Sequence, residues 1–543
     1  MREIVYPLPM LRLVCLLLAL SAAAQDLRLT YRSPIDNTEQ PYRIYIPPRH
    51  ADPAPLVIAM HGTGGDENTL FDAEPYQFVS LKQAADAHGM IVVSPLGRGV
   101  TEYRGIGEHD VLSVLREVRS RYAIDPARIY LTGHSMGGTG AAYLAMRHPD
   151  LFAAAAPLAA AYSYPWLARN VSTIPTLWIA GAEDDEFYHR GVAAGVERIR
   201  KFGGTAVLES LPNEGHNGAV KDFSRVFAWL GKYRKDPHPR RYVYETDTPL
   251  HGCAYWTCLN VFSTPGKMAS IVAEAPGGNR INLTLSNVAE LTFQPDSTFI
   301  DTTRPTPLAV NGRLIWSAPI PLGQQLRIVH GWTATLEPVE VRELGWRTHP
   351  VATAPEALDM RGVQKALGSW IADAMRAATG ADIALYGGWA YRGLPIPKGT
   401  VDAVDLLQCS RPFDQLLVTV RLTGHEIQQI LDDNIPHPRK DQPTRIDAPG
   451  ASRLVQVSGL SYTFDAKRPD GYKILALTLD PERIYTVALE GQVVERQSML
   501  LAGKFRKLDY DTTPIPLTLA LYGHAARSGV LRAPSSGRVR QVE

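Results

Sequence analysis

Short apolar runs and amphipathic helical patterns alternate along the first half of the chain. The runs are rich in Val, Ile, Leu and Ala, as buried strands of a sheet are. Between them, one face of residues 109–122 carries Val111, Leu115, Val118 and Tyr122 at helical spacing. Strands that alternate with helices predict an α/β fold, with a mostly parallel sheet that helices cover on both faces. The predicted strands are residues 56–60, 90–94, 129–131, 153–159, 176–180 and 206–211.

The pattern changes after residue 236. Residues 235–241 form a polar, Pro-containing linker, and turn signals such as Gly277-Gly278-Asn279 then separate short apolar stretches. This spacing predicts a small antiparallel β-sandwich over residues 240–345, behind an α/β domain over residues 25–236. The apolar stretches are residues 269–273, 281–285, 290–293, 314–316 and 326–329.

A third pattern begins near residue 355. One face of a predicted helix that ends at Gly380 carries Val363, Leu367, Trp370, Ile371 and Met375. Helix and strand patterns continue from there, which predicts an α+β domain over residues 355–525. Residues 526–543 contain Ser535-Ser536-Gly537 and scattered arginines, and we expect them to be a disordered tail.

The first residues carry a targeting pattern. Arg2 gives a positive start, residues 11–23 are apolar apart from Arg12, and Ala22-Ala23-Ala24 offers an A-x-A cleavage site. These features predict a secretory signal peptide over residues 1–24. The apolar run is shorter than the roughly 20 residues that a membrane span needs. We therefore expect a secreted or periplasmic protein without a membrane span.

Composition adds two limits. A chain of 543 residues is long enough for several domains. Its formal net charge of +1 provides no overall field that would draw it to nucleic acid, so we expect no nucleic-acid partner.

Three cysteines follow the predicted signal peptide: Cys253, Cys258 and Cys409. An exported protein can form disulfides, and Cys253 with Cys258 is the obvious pair. In an extended segment five residues span about 16 Å, far beyond disulfide reach, so this bridge requires a turn. The pairing stays open at this point, and the odd number of cysteines leaves at least one free thiol.

Ser135 is the strongest candidate for a catalytic group. It lies in Gly133-His134-Ser135-Met136-Gly137, between the predicted strand at residues 129–131 and a helix-compatible run at residues 139–146. A G-x-S-x-G sequence in this context forms a sharp turn that exposes the serine at the edge of the sheet. The glycines are needed because a Cβ there would collide with the neighbouring backbone. Ser135 is therefore the predicted nucleophile.

A serine hydroxyl needs a base, and the base needs an acid that orients it. The predicted strand at residues 176–180 is followed by Glu183-Asp184-Asp185, and the next strand is followed by His216. This matches the chain order of serine, acid and histidine in α/β-hydrolases. We predict His216 as the general base and Asp184 as its orienting acid, with Asp185 as the alternative.

The reaction also needs donors for the oxyanion. We expect the backbone N–H of Met136, next to the nucleophile, to be one of them. The other is expected from the loop His61-Gly62-Thr63-Gly64-Gly65, most directly from the backbone N–H of Thr63. The same glycines could cradle a phosphate, but the Lys-Ser/Thr ending of a phosphate-binding loop is absent from this sequence.

With these motifs, residues 40–232 resemble the secreted esterase branch of the α/β-hydrolases, which includes polyhydroxybutyrate-depolymerase-like and feruloyl-esterase-like proteins. The resemblance implies hydrolysis of carboxylic esters. Prolyl-oligopeptidase-type peptidases share much of it, so a serine peptidase is the alternative. The matching residues are 61–65, Asp110, 122–128, 133–138 and 147–152.

About 170 residues of the third segment resemble the C-terminal domain of 5′-nucleotidases. In that family an arginine after a Gly-Gly turn and a pair of aromatic rings hold the nucleoside, and Arg392 and Phe413 fall at matching positions. Two positions depart from the family pattern. Tyr386 replaces the Asn that opens the glycine turn, and residues 501–505 end in Phe505 without the Gly-Gly-Asp-Gly run. A weak nucleoside ligand is therefore one expectation for this domain, and structural roles for Arg392 and Phe413 are the other. For the β-sandwich we expect a structural or a carbohydrate-binding role.

Together these patterns predict an exported serine hydrolase that cleaves small or polymeric carboxylic esters through an acyl-enzyme. No metal site and no cofactor are predicted, because the two-metal phosphoesterase motifs of 5′-nucleotidases are missing from the sequence. A third interpretation is a nucleotide-binding protein with a vestigial triad.

Overall fold

We describe the protein from a computed structural model, over residues 23–99, 101–161, 164–339, 349–387, 393–410, 416–436, 454–495 and 508–542. Most of the predicted signal peptide, residues 1–22, lies outside these ranges. Within them, no helix combines the length and the apolar character that crossing a membrane requires.

One eight-stranded sheet and six helices form the first domain. The strands are β1 (Gln25–Arg32), β2 (Glu39–Ile46), β3 (Ala54–Met60), β4 (Ile91–Pro95), β5 (Ile124–His134), β6 (Ala154–Leu158), β7 (Thr176–Gly181) and β8 (Ala206–Leu211). The helices are α1 (Thr69–Asp72), α2 (Leu81–His88), α3 (Ile106–Arg121), α4 (Met136–Arg147), α5 (Glu186–Lys201) and α6 (Phe223–Leu230).

The strand order is β1-β2-β4-β3-β5-β6-β7-β8, and all pairings from β4 to β8 are parallel. Every residue of β3 is buried, because apolar clusters pack on both faces of the sheet. This confirms the predicted α/β class and the mostly parallel sheet. The C-terminal ends of the parallel strands lie along one edge, which is where function collects in such sheets.

Strands β1 and β2 are not predicted, because no apolar run marks them in the sequence. They pair antiparallel at one side of the sheet. In β1, Leu27, Leu29 and Tyr31 are more buried than the residues between them. A strand with one covered face alternates polar and apolar residues instead of forming an apolar run. That alternation is the signal from which β1 could be predicted.

The second domain is a sandwich of two five-stranded sheets. Its strands are β9 (Arg241–Thr246), β10 (Cys253–Ala254), β11 (Thr257–Phe262), β12 (Ala269–Gly277), β13 (Arg280–Ser286), β14 (Val288–Phe293), β15 (Leu308–Val310), β16 (Arg313–Trp316), β17 (Gln324–Val329) and β18 (Thr333–Pro338). The sheet orders are β10-β11-β14-β17-β18 and β16-β15-β13-β12-β9. One pairing departs from the predicted antiparallel arrangement, since β13 and β15 run parallel.

Cys253 and Cys258 form a disulfide, which resolves the open pairing. The two cysteines are directly opposite each other in the hairpin of β10 and β11, so the required turn is present. Tyr255 in this turn has a φ of 51°. Cys409 is the free cysteine of the described residues and is buried.

The third domain is α+β, as predicted. Its strands are β19 (Pro350–Ala354), β20 (Ile383–Gly387), β21 (Gly399–Asp402), β22 (Leu416–Thr423), β23 (Val455–Ser458), β24 (Tyr462–Phe464), β25 (Ile474–Leu477), β26 (Ile484–Glu490), β27 (Tyr510–Pro516) and β28 (Val539–Gln541). Its helices are α7 (Ala366–Thr379), α8 (Ala403–Gln408), α9 (Gly424–Asp433), α10 (Gly491–Glu495) and α11 (Leu517–Ser528). The largest sheet has the order β23-β20-β26-β22-β27.

The prediction of a disordered tail from residue 526 is wrong for the described residues 526–542. Helix α11 continues to Ser528, and β28 pairs in parallel with β24. Leu531 and Val539 are buried in the core of the third domain, and Arg538 forms an ion pair with Asp373. A few apolar residues in a polar segment are enough to dock it when a partner surface lies nearby.

A single buried carboxylate connects all three domains. Asp247, just after β9, pairs with Arg147 at the end of α4, at 2.6 and 3.0 Å. It also accepts hydrogen bonds from Trp166 Nε1 in the first domain and from Thr518 Oγ1 in α11. Since both charges are fully buried, breaking this pair by a single substitution would be costly.

Candidate active site

Ser135 stands in the strained turn that its motif predicts. It follows β5 and precedes α4, with φ 56° and ψ −113°. A Cβ on Gly137 would lie 2.0 Å from the carbonyl oxygen of Met60, and one on Gly133 would lie 2.4 Å from the carbonyl oxygen of Gly137. Only glycine allows these backbones to approach so closely. The packing therefore holds Ser135 at the C-terminal edge of the sheet.

Asp184 and His216 are in direct contact. Nδ1 of His216 lies 2.8 Å from Oδ2 and 3.1 Å from Oδ1 of Asp184. The Asp184 side chain is only 4% exposed, whereas one third of the His216 side chain reaches solvent. Asp185 donates its backbone N–H to Asp184 Oδ1, at 2.7 Å, and is exposed. The geometry thus favours Asp184 over Asp185 as the orienting acid.

The loop predicted to hold the oxyanion donors lies against the nucleophile. A Cβ on Gly62 would come within 3.5 Å of the Cβ of Ser135. His61 is fully buried, and its Nε2 bonds the carbonyl oxygen of Leu96 at 3.0 Å. Met136 is the first residue of α4, so its N–H has no acceptor within the helix. The assignment of Thr63 and Met136 as donors stays a prediction.

A second segment, residues 97–99 and 101–107, packs against the first loop. Arg98, Glu102 and Tyr103 all have positive φ, a conformation that costs energy and clusters at functional sites. The ring of Tyr103 packs edge-on against His61, and its hydroxyl donates to the His61 carbonyl oxygen at 3.3 Å. On its other side, Gln408 at the end of α8 accepts a hydrogen bond from the backbone N–H of Ile106. The third domain therefore contacts the segment that packs against the loop at residues 61–65.

The sequence motifs do not single out two aromatic rings that contact His216 or a third ring behind one of them. The ring of Tyr188 lies 4.8 Å from the His216 ring, and the ring of His134 lies 5.0 Å from it. Tyr76 in turn contacts His134. His134 is the variable position of G-x-S-x-G, and nothing in the sequence marks Tyr76 or Tyr188, since both depend on contacts between distant segments.

One group of side chains in the described residues has the spacing of a metal site. Glu108, His148 and His251 offer ligand atoms that lie within 4.8 Å of one another. Hydrogen bonds already account for this group. Glu108 accepts from His148 Nε2 at 2.6 Å, from His251 Nε2 at 3.0 Å and from the Tyr143 hydroxyl at 2.7 Å. The prediction that the protein has no metal site stays a prediction.

Burial and hydrogen bonding set the charges of this group. Burial alone would raise the pKa of Glu108, but the adjacent imidazoles of His251 and His148 hold it well below its usual range. Burial lowers the pKa of His251. The cluster joins α3 and the segment after α4 to the second domain, and we interpret it as a structural contact.

The two residues proposed from the nucleotidase resemblance, Arg392 and Phe413, lie outside the described residues. Tyr386, which replaces the expected Asn, is fully buried at the end of β20.

Comparison with known protein families supports a two-part organisation. Residues 33–198 match the family model named Esterase, and residues 350–494 match the model of the 5′-nucleotidase C-terminal domain. The chain therefore joins an esterase-family segment to a 5′-nucleotidase C-terminal domain.

Similarity to individual proteins is distant. The bifunctional acetylxylan esterase/xylanase XynS20E of Neocallimastix patriciarum is 26% identical over 161 residues, which are 29% of this chain and 23% of that protein. Feruloyl esterase B of Talaromyces funiculosus is 28% identical over 123 residues, which are 20% of this chain and 33% of that protein. This chain thus spans about a quarter of the first relative and a third of the second.

Several solved structures are similar to parts of this chain, and one of them is named as a 5′-nucleotidase precursor. The 5′-nucleotidase precursor from Thermus thermophilus shares 21% identity, covers 44% of this chain and 54% of its own, and has a TM-score of 0.31.

Proposed function

We propose that the protein is an exported serine hydrolase that cleaves carboxylic esters. The observation that carries this proposal is the paired geometry of Asp184 and His216, at the same sheet edge as Ser135 in its strained turn. The match of residues 33–198 to the Esterase family supports the ester as the bond that is cleaved. The signal-peptide pattern and the Cys253–Cys258 disulfide support export.

In this proposal the three side chains divide the reaction between them. Asp184 holds Nδ1 of His216, which leaves Nε2 free to take the proton of Ser135 Oγ. The serine oxygen attacks the acyl carbon, and the amides of Met136 and Thr63 stabilise the oxyanion. His216 then gives its proton to the departing alcohol. A water molecule, activated by the same imidazole, releases the acid from Ser135.

For the substrate class, we propose acyl esters attached to a small alcohol or to a polymer such as a polysaccharide. The distant relatives are named as an acetylxylan esterase/xylanase, which specifies an acetyl group on a polysaccharide, and as a feruloyl esterase, which specifies a feruloyl group. No cofactor takes part, because acyl transfer to serine and then to water requires none. A serine peptidase is the alternative within the same mechanism.

The third domain suggests an additional ligand. Its match to the 5′-nucleotidase C-terminal domain favours weak binding of a nucleoside, with Arg392 and Phe413 as the proposed contacts. Binding of one stacked base would contribute about 1–3 kcal/mol.

A fluorophosphonate probe and a substrate panel test this function. We expect the probe to label the wild-type protein stoichiometrically and to leave Ser135→Ala unlabelled, because it reacts only with an activated serine. The panel should contain acetyl, butyryl, octanoyl and feruloyl esters together with short peptide amides. Turnover of esters without detectable cleavage of the peptide amides would support the esterase. Preferential cleavage of the peptides would show that the protein is a serine peptidase instead. Absence of labelling would favour a binding protein with a vestigial triad.

A further inference from the structure

We infer that His134 and Tyr76 form a positioning pair that holds the backbone of the catalytic His216, an inference that rests on the proposed function. Two contacts define the pair. Nε2 of His134 lies 3.1 Å from the carbonyl oxygen of His216, and Nδ1 of His134 lies 2.9 Å from the hydroxyl of Tyr76.

The chemistry of these contacts assigns every proton. A carbonyl oxygen only accepts, so Nε2 of His134 must carry the hydrogen. In a neutral imidazole Nδ1 is then the acceptor, and the hydroxyl of Tyr76 must donate to it. The chain of donors therefore runs in one direction, from Tyr76 through His134 to His216. The His216 carbonyl selects this tautomer of His134, and the hydroxyl of Tyr76 stabilises it by donating to Nδ1.

Burial keeps the pair in this state. His134 is 4% exposed and Tyr76 is 7% exposed. Burial, and then the nearby charge of His216, lowers the pKa of His134 to about 4, so His134 is neutral at neutral pH. Burial also raises the pKa of the Tyr76 hydroxyl, which keeps its proton.

His134 and Asp184 control different parts of the same residue. Asp184 binds the imidazole of His216, whereas Nε2 of His134 binds its main-chain carbonyl oxygen. His134 also immediately precedes Ser135 in the chain. The turn that presents Ser135 therefore also carries the side chain that positions His216. A change at residue 134 would thus alter the distance between the Ser135 hydroxyl and the His216 imidazole. Misplacement of a reacting group by about 1 Å can cost about a hundredfold in rate.

Three substitutions separate this role from simple packing. His134→Leu keeps the volume and removes both hydrogen bonds. His134→Gln keeps an N–H donor near the position of Nε2. Tyr76→Phe removes only the hydroxyl that donates to Nδ1 of His134. Tyr130→Phe is the matched control, because it deletes another tyrosine hydroxyl, bonded to the carbonyl oxygen of Tyr233, away from the site.

The measurements are kcat, KM and the rate of fluorophosphonate labelling, with acetyl ester as the substrate. We expect His134→Leu to lower kcat by about 10- to 100-fold with little change in KM. His134→Gln should recover kcat to within about fivefold of the wild type, and Tyr76→Phe should lower it by about 3- to 10-fold, on the order of one lost hydrogen bond. Tyr130→Phe should leave both constants unchanged.

Wild-type kcat in His134→Leu, or equal losses in His134→Leu and His134→Gln, would overturn the positioning role. If His134→Leu fails to fold, His134→Gln and Tyr76→Phe decide the question by the same criteria. Ser135→Ala distinguishes failure of the proposed function itself. Ester hydrolysis that survives Ser135→Ala would contradict the proposed serine mechanism, whatever the His134 variants show.

Discussion

The backbone of Gly181 is packed so closely against the carbonyl oxygen of Gly215 that no side chain fits at position 181. A Cβ on Gly181 would lie 2.3 Å from the carbonyl oxygen of Gly215 and 2.2 Å from that of Glu214. In addition, the backbone N–H of Glu183 donates to the Glu214 carbonyl oxygen at 2.9 Å. The turn that carries Asp184 is thus fastened directly to the loop that carries His216.

We therefore expect Gly181→Ala to damage both stability and activity. The new methyl group would meet backbone atoms, which cannot move aside without shifting the two loops, and roughly 1–3 kcal/mol of stability should be lost. Gly215→Ala is the matched control, since a Cβ there has no atom within 4 Å. Urea unfolding and ester hydrolysis measure the two effects. Equal behaviour of both variants would contradict the close packing.

Asp184→Asn is expected to be far more damaging than Asp185→Asn. An amide at position 184 favours the wrong imidazole tautomer and cannot stabilise the imidazolium, so kcat should fall by about 10³-fold or more. Asp185 is exposed and contacts Asp184 through its backbone, so Asp185→Asn should stay within about threefold of the wild type. Steady-state kinetics on one ester would reveal a reversed order if Asp185 were the orienting acid.

Ser135→Ala should abolish ester hydrolysis without unfolding the protein. The substitution deletes one oxygen and no core volume, so the free energy of unfolding should change by less than about 0.5 kcal/mol. Loss of the nucleophile should lower activity by about 10⁴-fold or more. Thermal unfolding and hydrolysis are measured on the same preparation, and full activity would place the nucleophile elsewhere.

Acid should destabilise the protein partly through His134. Its folded-state pKa of about 4 lies below the ordinary 6.5, so below pH 6.5 the unfolded chain binds a proton that the folded chain does not. Stability then falls as the pH drops from 6.5 to 4, by about 3 kcal/mol from this residue. His134→Gln lacks the titrating group. Its loss of unfolding free energy between pH 7 and pH 4, measured in urea, should be smaller by that amount; equal losses would contradict the buried neutral state.

The third domain should not make the protein a phosphatase. Cleavage of a phosphate ester in 5′-nucleotidases needs two metal ions about 4 Å apart. Among the described residues, the one group with metal-ligand spacing, at Glu108, offers ligands for a single ion and is internally hydrogen-bonded. Phosphate release from AMP with Mn²⁺, Zn²⁺ or Mg²⁺ should stay at background. Metal-dependent release that persists in Ser135→Ala would contradict the esterase as the main activity.

Much of the first domain could be predicted from local patterns. The strand at residues 206–211 coincides with β8, and the nucleophile turn at Ser135 has the positive φ that its glycines indicate. Buried parallel strands are continuous apolar runs, and a strand–turn–helix motif depends on neighbours in the chain. Such signals are visible without knowledge of distant contacts.

Tertiary contacts decided the remainder. Asp184 contacts the His216 imidazole because the fold buries this carboxylate against it, whereas the neighbouring Asp185 is exposed. The Cys253–Cys258 bridge depends on a turn at Tyr255, a residue that carries no turn signal. Likewise, residues 526–542 dock onto a surface built by segments far away in sequence.

The element types, the family likeness and Ser135 as the candidate nucleophile could therefore be predicted from the sequence, since each depends on residues close in the chain. Only the folded structure shows that Asp184 contacts the His216 imidazole, that His134 contacts the His216 carbonyl, and that Asp247 connects three domains. The physical reason is the range of the interactions. Periodicity and turn chemistry act over a few residues, whereas hydrogen bonds such as that between His134 and the His216 carbonyl join positions that only folding brings within about 3 to 4 Å.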